Sequence, residues 1–127
     1  EPAADPLADW LQSIEHIRRR VPDSVLVLPA HNEPFVGLHA RLDELRDSVL
    51  HALQRLRDCL GEPRRAVDVF GALFRRRVTS EPSLLNLATG EAIAHLNHLI
   101  RLGEVIEDRQ QDEVSWFRRA ASMGPAC

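Results

Sequence analysis

Residues 22–35 read Pro-Asp-Ser-Val-Leu-Val-Leu-Pro-Ala-His-Asn-Glu-Pro-Phe, and the four apolar residues 25–28 within them decide the fold class of the amino-terminal part. A short apolar run closed by a proline is typical of a strand buried on both faces, as in a parallel sheet. One strand cannot satisfy its own hydrogen-bond ladder. We therefore expect residues 25–28 to pair with a second chain or with missing residues, or else to be rearranged.

A short amphipathic helix is predicted directly before this strand, over residues 6–20. Its apolar positions recur at helical spacing: Leu7, Trp10, Leu11, Ile14 and Ile17. Pro6 suits a first helical turn, and Asp5 is available as the cap. A helix that leads into a buried strand is the unit of an α/β layer, so residues 1–40 are predicted to form the edge of a larger fold.

Three helices are predicted after residue 38. The first carries an apolar stripe of about six turns and ends at Gly61: Leu38, Leu42, Leu45, Val49, Leu53, Leu56 and Leu60. The second begins after Pro63 and ends in Arg75-Arg76-Arg77, with these apolar positions: Val67, Phe70, Leu73 and Phe74. The third runs from about Ser83 to Leu102, stops at Gly103, and points these side chains inward: Leu85, Ile93, Leu96, Leu99 and Ile100.

A β-hairpin is predicted at the end of the chain, from residues 104–107 and 113–117 around a polar turn. Three helices followed by a hairpin is the order of a winged-helix domain. We therefore assign the class as mainly α with a little β, with an incomplete α/β edge at residues 1–40 and a winged-helix-like domain at 41–127. Phe70, Phe74, Trp116 and Phe117 are interpreted as core and wing packing.

The composition is that of a globular protein of 127 residues with a formal charge of −3, enough for one domain or two small ones. The sequence shows no membrane span and no export signal. Cys59 and Cys127 are predicted to be reduced thiols of a cytoplasmic protein. Because residue 1 is Glu and not Met, we expect the chain to be a piece of something longer.

His31 is the candidate metal ligand. It follows the predicted strand in a loop bracketed by Pro29 and Pro34, and ligands bind at the carboxyl ends of strands in open α/β sheets. A neutral imidazole is the commonest metal ligand. The alternative is a hydrogen-bonded turn residue.

These segments, in this order, resemble the carboxyl-terminal part of the metallo-β-lactamase-fold hydrolases, an αββα fold, including the winged-helix extension of one branch. Pro29 and His31 match the family's Pro-Gly-His-Gly segment, whereas Ala30 and Asn32 stand where the family has glycines. His51 and Arg55-Leu56 match the following helix. Residues 87–99 resemble the third helix of the extension, and Gly103, Val105 and Trp116 fall where it has its wing.

The resemblance implies that His31 is one ligand of a dinuclear zinc site whose other ligands lie upstream. It also implies attack by metal-bound hydroxide on an ester, thioester or related carbonyl of a small molecule. The family's His-x-His-x-Asp-His cluster is absent from this sequence. Zinc catalysis needs three or more protein ligands, so we expect no activity from these 127 residues alone.

Other histidines and arginines are weaker candidates for a site. His95 and His98 share a helix face and could form a local metal site with His39 or His51; polar positions at a domain or subunit boundary are preferred. The arginines at 18–20 and 75–77 close helices, where cations suit the helix dipole. Binding of an anionic substrate such as a coenzyme A thioester is the alternative.

A stand-alone winged-helix module, for DNA or for another protein, is the second hypothesis. Residues 83–117 contain six carboxylates and two arginines, a net charge of −4 that would repel phosphates. We therefore do not expect nucleic acid to be a partner. The winged-helix part is expected to cover the active-site mouth or to mediate subunit contacts, either in a homo-oligomer or by pairing with the missing amino-terminal part.

Overall fold

A computed structural model describes residues 5–74 and 82–120, and for residues 82–86 it describes the backbone only. The chain is mainly helical, with one small antiparallel sheet. Its elements follow in this order: helix α1 (Pro6–Arg20), helix α2 (Leu38–Cys59), a 3₁₀ helix (Ala66–Val69), helix α3 (Phe70–Leu73), helix α4 (Pro82–Arg101), strand β1 (Val105–Arg109) and strand β2 (Ser115–Arg119).

Helix α1 has the predicted bounds and the predicted cap. The Asp5 carboxylate accepts a hydrogen bond from the Ala8 N–H at 3.0 Å. Leu7 and Ile14 are buried. Trp10 and Ile17 of the same predicted stripe are exposed, so the helix covers less of its apolar surface than the spacing predicts.

The predicted buried strand at 25–28 is wrong for this structure. Its only pairing within the described residues is an isolated bridge, in which Val27 and Phe35 exchange two backbone hydrogen bonds of 2.7 and 3.1 Å. Leu26 and Leu28 are 62% and 74% exposed. The physical reason is that no neighbouring strand lies in the described chain to extend the ladder.

Helix α2 confirms the predicted stripe. It ends at Cys59, two residues before Gly61, and Leu53, Leu56 and Leu60 are almost completely buried. These leucines are spaced three and four residues apart, so they share one face of the helix. That face is the centre of the core.

The predicted second helix is replaced by two shorter pieces. Ala66–Val69 forms a 3₁₀ helix, and the Asp68 carboxylate caps its start by accepting bonds from the Arg65 N–H and guanidinium, each at 3.0 Å. The Arg65 guanidinium, followed by the Arg65 N–H, lowers the pKa of Asp68. Val67, predicted to face inward, is exposed, while its neighbour Val69 is fully buried. The predicted end at residues 75–77 lies outside the described residues.

Helix α4 matches its predicted bounds to within one residue, and Leu96 and Leu99 are fully buried. Ile93 was predicted inward and is exposed. The side chain of Leu85 lies outside the described set. Gly103 ends the helix at φ +78°, which lets the Glu104 N–H bond to the Leu99 carbonyl at 3.0 Å.

The predicted hairpin forms, with each strand beginning one or two residues later than predicted and ending two residues later. Val105 pairs with Arg119, and Phe117 pairs both with Glu107 and, on its other side, with Arg64. In the connecting turn Glu113 has φ +65°, and no other non-glycine residue in the described segments has a positive φ.

One apolar core joins the helices and the hairpin. Its buried members are Leu7, Ala52, Leu53, Leu56, Leu60, Val69, Leu73, Ala92, Leu96, Leu99, Val105 and Phe117. Leu7 shows that α1 contributes to the same core as the later helices. The division at residues 40 and 41 stays a prediction.

Candidate functional site

The candidate site is the loop of residues 21–37, which connects α1 to α2 and carries His31. His31 is exposed, in a bend of the chain. Val27 and Phe35 lie on either side of His31 and are joined by backbone hydrogen bonds, so residues 28–34 form a loop closed by that bridge. The imidazole is presented to solvent from a loop whose two arms are hydrogen-bonded to each other.

His39 closes the base of the loop with two bonds. Its backbone N–H donates to the Asp23 carboxylate at 2.8 Å, and its ring Nε2–H donates to the Val21 carbonyl at 2.8 Å. One residue in the first turn of α2 therefore holds the start of the loop. Asp23 also satisfies a free N–H at the start of that helix.

An ion pair fastens the two helices behind the loop. The Arg18 Nε donates to Asp43 at 2.9 Å, and a second guanidinium nitrogen lies 3.4 Å from the other carboxylate oxygen. The hydrogen bond from Arg18 lowers the pKa of Asp43, and the same bond raises the pKa of Arg18. Two arginines of the cluster at 18–20 therefore form intramolecular ion pairs: Arg18 with Asp43, and Arg19 with Glu15 at 3.1 Å.

His98 and His95 make structural contacts. The His98 ring lies 3.0 Å from one Asp5 oxygen and 3.2 Å from the other, with the two side chains 10% and 13% exposed. The His95 ring donates to the Glu91 carbonyl at 2.7 Å. His39 is bonded to Val21, and His51 lies exposed on α2. The structure therefore does not gather these four histidines into a metal site.

The Asp5–His98 contact joins α1 to α4 across 93 residues. Burial raises the pKa of Asp5, but bonds from the Ala8 N–H and from His98, together with the charges of His98 and Arg101, outweigh it and lower the pKa overall. The sequence marked Asp5 only as a helix cap. Nothing in the sequence pattern pairs it with His98.

Arg55 and Cys59 have ordinary structural surroundings. Arg55 donates to the Ala72 carbonyl at 2.7 Å, at the end of α3. Cys59 is a free, half-buried thiol. Cys127 and the arginines at 75–77 lie outside the described residues. No helix among the described segments is both long and apolar enough to cross a membrane.

Residues 53–120 match a family model described as the metallo-beta-lactamase-like, C-terminal domain. A beta-lactamase domain protein from Burkholderia ambifaria is 35% identical to the chain, over 94% of this chain and 35% of that one, with a TM-score of 0.86. The chain belongs to the metallo-beta-lactamase-like family.

A second solved structure of this family is similar in fold. It is a metallo-beta-lactamase family protein from Thermus thermophilus, with 23% identity, a TM-score of 0.73, and coverage of 91% of this chain and 34% of that one. A search of curated protein sequences gave no significant match. The chain spans about a third of the length of both solved relatives.

Among the described residues of this metallo-beta-lactamase-like chain, the donor set for a metal is incomplete. No group of three or more His, Cys, Asp or Glu side chains in the described ranges could hold a metal ion. Structural zinc sites use four protein ligands and catalytic sites use three. The residues in those ranges therefore cannot hold a metal by themselves, and the role of His31 stays a prediction.

Proposed function

We propose that this chain is the carboxyl-terminal part of a metal-dependent hydrolase that acts on an ester, thioester or related carbonyl of a small molecule. The observation that carries the proposal is 35% identity over 94% of the chain to a beta-lactamase domain protein of about three times its length. We also propose a cytoplasmic location, with which the free thiol of Cys59 agrees.

His31 would supply one ligand to a zinc site completed by residues outside this chain. Two features of the loop support this role: the imidazole is exposed, and the loop is closed by the Val27–Phe35 bridge and by His39. A loop held at several points has little backbone freedom left to lose on binding. Ala30 and Asn32, at the positions of the family's glycines, are tolerated in this arrangement because neither has a positive φ.

The helical part and its hairpin would form a winged-helix unit that covers the active-site mouth or mediates subunit contacts. Its core is formed largely within residues 52–117 and, in the part of the chain that the structure describes, offers no metal-ligand cluster, so it would contribute shape and contact surface. The stand-alone module is less well supported, because such a module has no use for the exposed apolar residues Leu26 and Leu28.

The test is to measure zinc content and hydrolysis of an ester and a thioester in the longest natural polypeptide that contains this chain. His31→Ala is expected to reduce both bound zinc and rate by about tenfold or more. His16→Ala is the matched control, because His16 is also exposed and lies in the middle of α1. Unchanged zinc and rate in His31→Ala would remove His31 from the site.

A further inference from the structure

The outer part of the His31 loop depends on its anchors for its shape. Within the described segments, residues 28–34 make no hydrogen bond of their own. The nearest anchor is the Val27–Phe35 bridge, which uses backbone groups alone. The position of His31 is therefore set by the points at which the loop of residues 21–37 is held.

The start of the loop is held by the His39 side chain. The ring Nε2–H donates to the Val21 carbonyl at 2.8 Å, while the Val21 N–H donates to the Ile17 carbonyl at 2.8 Å. Val21 is thus bonded both to the last turn of α1 and to the first turn of α2. The His39 backbone N–H adds a bond of 2.8 Å to the Asp23 carboxylate. The point where the chain leaves α1 is therefore fixed from α2.

The end of the loop is set by the backbone just before His39. Gly37 has φ +102°, which other residues rarely adopt, and its carbonyl accepts the Arg41 N–H at 3.2 Å. Residues 37–39 therefore control both ends of the loop. Gly37 acts through its backbone conformation, and His39 acts through its ring.

The imidazole is half-buried and lies beside the ion pair that joins α1 to α2. The hydrogen bond from Arg18 lowers the pKa of Asp43 most, and the charges of Arg46 and His39 lower it further. The Arg18–Asp43 pair holds the two helices together without a hydrogen bond to residues 21–37. In the part of the chain that the structure describes, His39 is the side chain that bonds α2 to the loop itself.

We propose that His39 is a positioning residue: by tying Val21 to α2 through its ring, it fixes the conformation of residues 28–34 and the place where His31 is presented. For what His31 binds, the proposal rests on the proposed function. A ligand held in place before binding loses less conformational entropy, so binding is tighter. The bond needs an N–H at the Nε2 position, which a glutamine side chain can supply and the shorter asparagine side chain cannot.

Amide hydrogen exchange of the 127-residue chain tests the role in the loop. His39→Leu removes the ring bond, so the Val27 and Phe35 amides should exchange about tenfold faster, the factor that one lost hydrogen bond gives. The ring signals of His31 in nuclear magnetic resonance spectra should shift in the same variant. His39→Gln should keep the original rates and signals, and His39→Asn should behave like His39→Leu. Unchanged rates in His39→Leu, or equal increases in His39→Leu and His39→Gln, would overturn the proposal.

Two controls separate positioning from general stabilisation. The amides of Leu56 and Leu96, in the buried core, should keep their rates in His39→Leu. If they accelerate as much as the two loop amides, His39 stabilises the whole fold and the proposal fails. Arg18→Leu breaks the ion pair between α1 and α2, whose side chains are 40% and 34% exposed, and should leave the loop amides unchanged. An equal acceleration in Arg18→Leu would contradict a specific role for His39.

Zinc binding separates this inference from the proposed function. In the longest natural polypeptide that contains this chain, His39→Leu should weaken zinc binding by about tenfold, and His39→Gln should not. Faster loop exchange in His39→Leu of a protein that binds no zinc would support the positioning of the loop while the proposed function failed. Zinc binding and hydrolysis that are unchanged in His39→Leu would support the proposed function while this inference failed.

Discussion

Residues 53–120 and residues 10–36 differ in how many of their large apolar side chains are buried. In the first region Leu53, Leu56, Leu96 and Leu99 are almost completely buried against one another and against the hairpin. Among the described residues each region has five exposed large apolar side chains, but nine are buried in the first region and only Ile14 in the second. The exposed ones in the second region are Trp10, Ile17, Leu26, Leu28 and Val36. An apolar pattern in a sequence predicts which face of a segment favours burial. That face is buried only where the chain also contains residues that pack against it.

The largest expected effect is the difference between two variants, each of which truncates one leucine in one of the two regions. Leu56→Ala should lower the free energy of unfolding by about 2–5 kcal/mol, because it leaves a cavity in the core. Leu28→Ala should change it by less than about 0.5 kcal/mol, because the side chain is exposed. Urea unfolding of both variants of the 127-residue chain measures the difference. Similar losses would mean that Leu28 is buried in solution.

An intermediate effect is expected at Asp5, the residue that ties the amino-terminal region to α4. Asp5→Ala should lower the free energy of unfolding by about 1–3 kcal/mol, because it removes both the helix cap and the partner of His98. Asp5→Asn can still cap the helix but has no charge. Its loss should be smaller than that of Asp5→Ala.

The pH dependence of the same variants has a definite sign. The pKa of Asp5 is lower in the folded protein than its usual value of 3.8. Its contribution to stability is therefore present above the unfolded-state pKa and is lost as the pH falls through the lower folded-state value. Between about pH 5 and pH 2, stability should fall less steeply in Asp5→Asn than in the unmodified chain. An identical slope in thermal unfolding would contradict the Asp5–His98 contact.

The smallest effect concerns the hairpin, within residues 53–120. Glu113 has φ +65°, a conformation that costs an ordinary residue about 1 kcal/mol or more and a glycine little. Glu113→Gly should raise the free energy of unfolding by about 0.5 kcal/mol, after the entropy that glycine adds to the unfolded chain. Gln111→Gly, in the same turn and without a positive φ, should lower it. Thermal unfolding of both variants decides this.

The sequence predicts helices better where packing partners are close along the chain. The stripe from Leu42 to Leu60 and the cap at Asp5 were predicted and are present, since helical spacing and capping are local. Val67 was placed inside instead of Val69, because the prediction used the α-helical period and residues 66–69 form a 3₁₀ helix. A short 3₁₀ helix has little signal in apolar spacing.

The candidate site was predicted only in part for a related reason. The loop that carries His31 between Pro29 and Pro34 was predicted from neighbours in sequence and is present, whereas the buried strand predicted before it is not. The His39 bonds to Val21 and Asp23, and the Asp5–His98 contact, join residues that are far apart along the chain. Contacts of that kind are set by tertiary packing, which a single sequence does not encode in any local pattern.

The 93 residues between Asp5 and His98 also set an order of events during synthesis. At a translation rate of about 5–20 residues per second, α1 emerges roughly 5–20 s before the histidine that holds it. During that interval the apolar side chains of α1 cannot pack on α4. Until α4 leaves the ribosome, the Asp5 carboxylate can cap α1 but lacks its His98 partner.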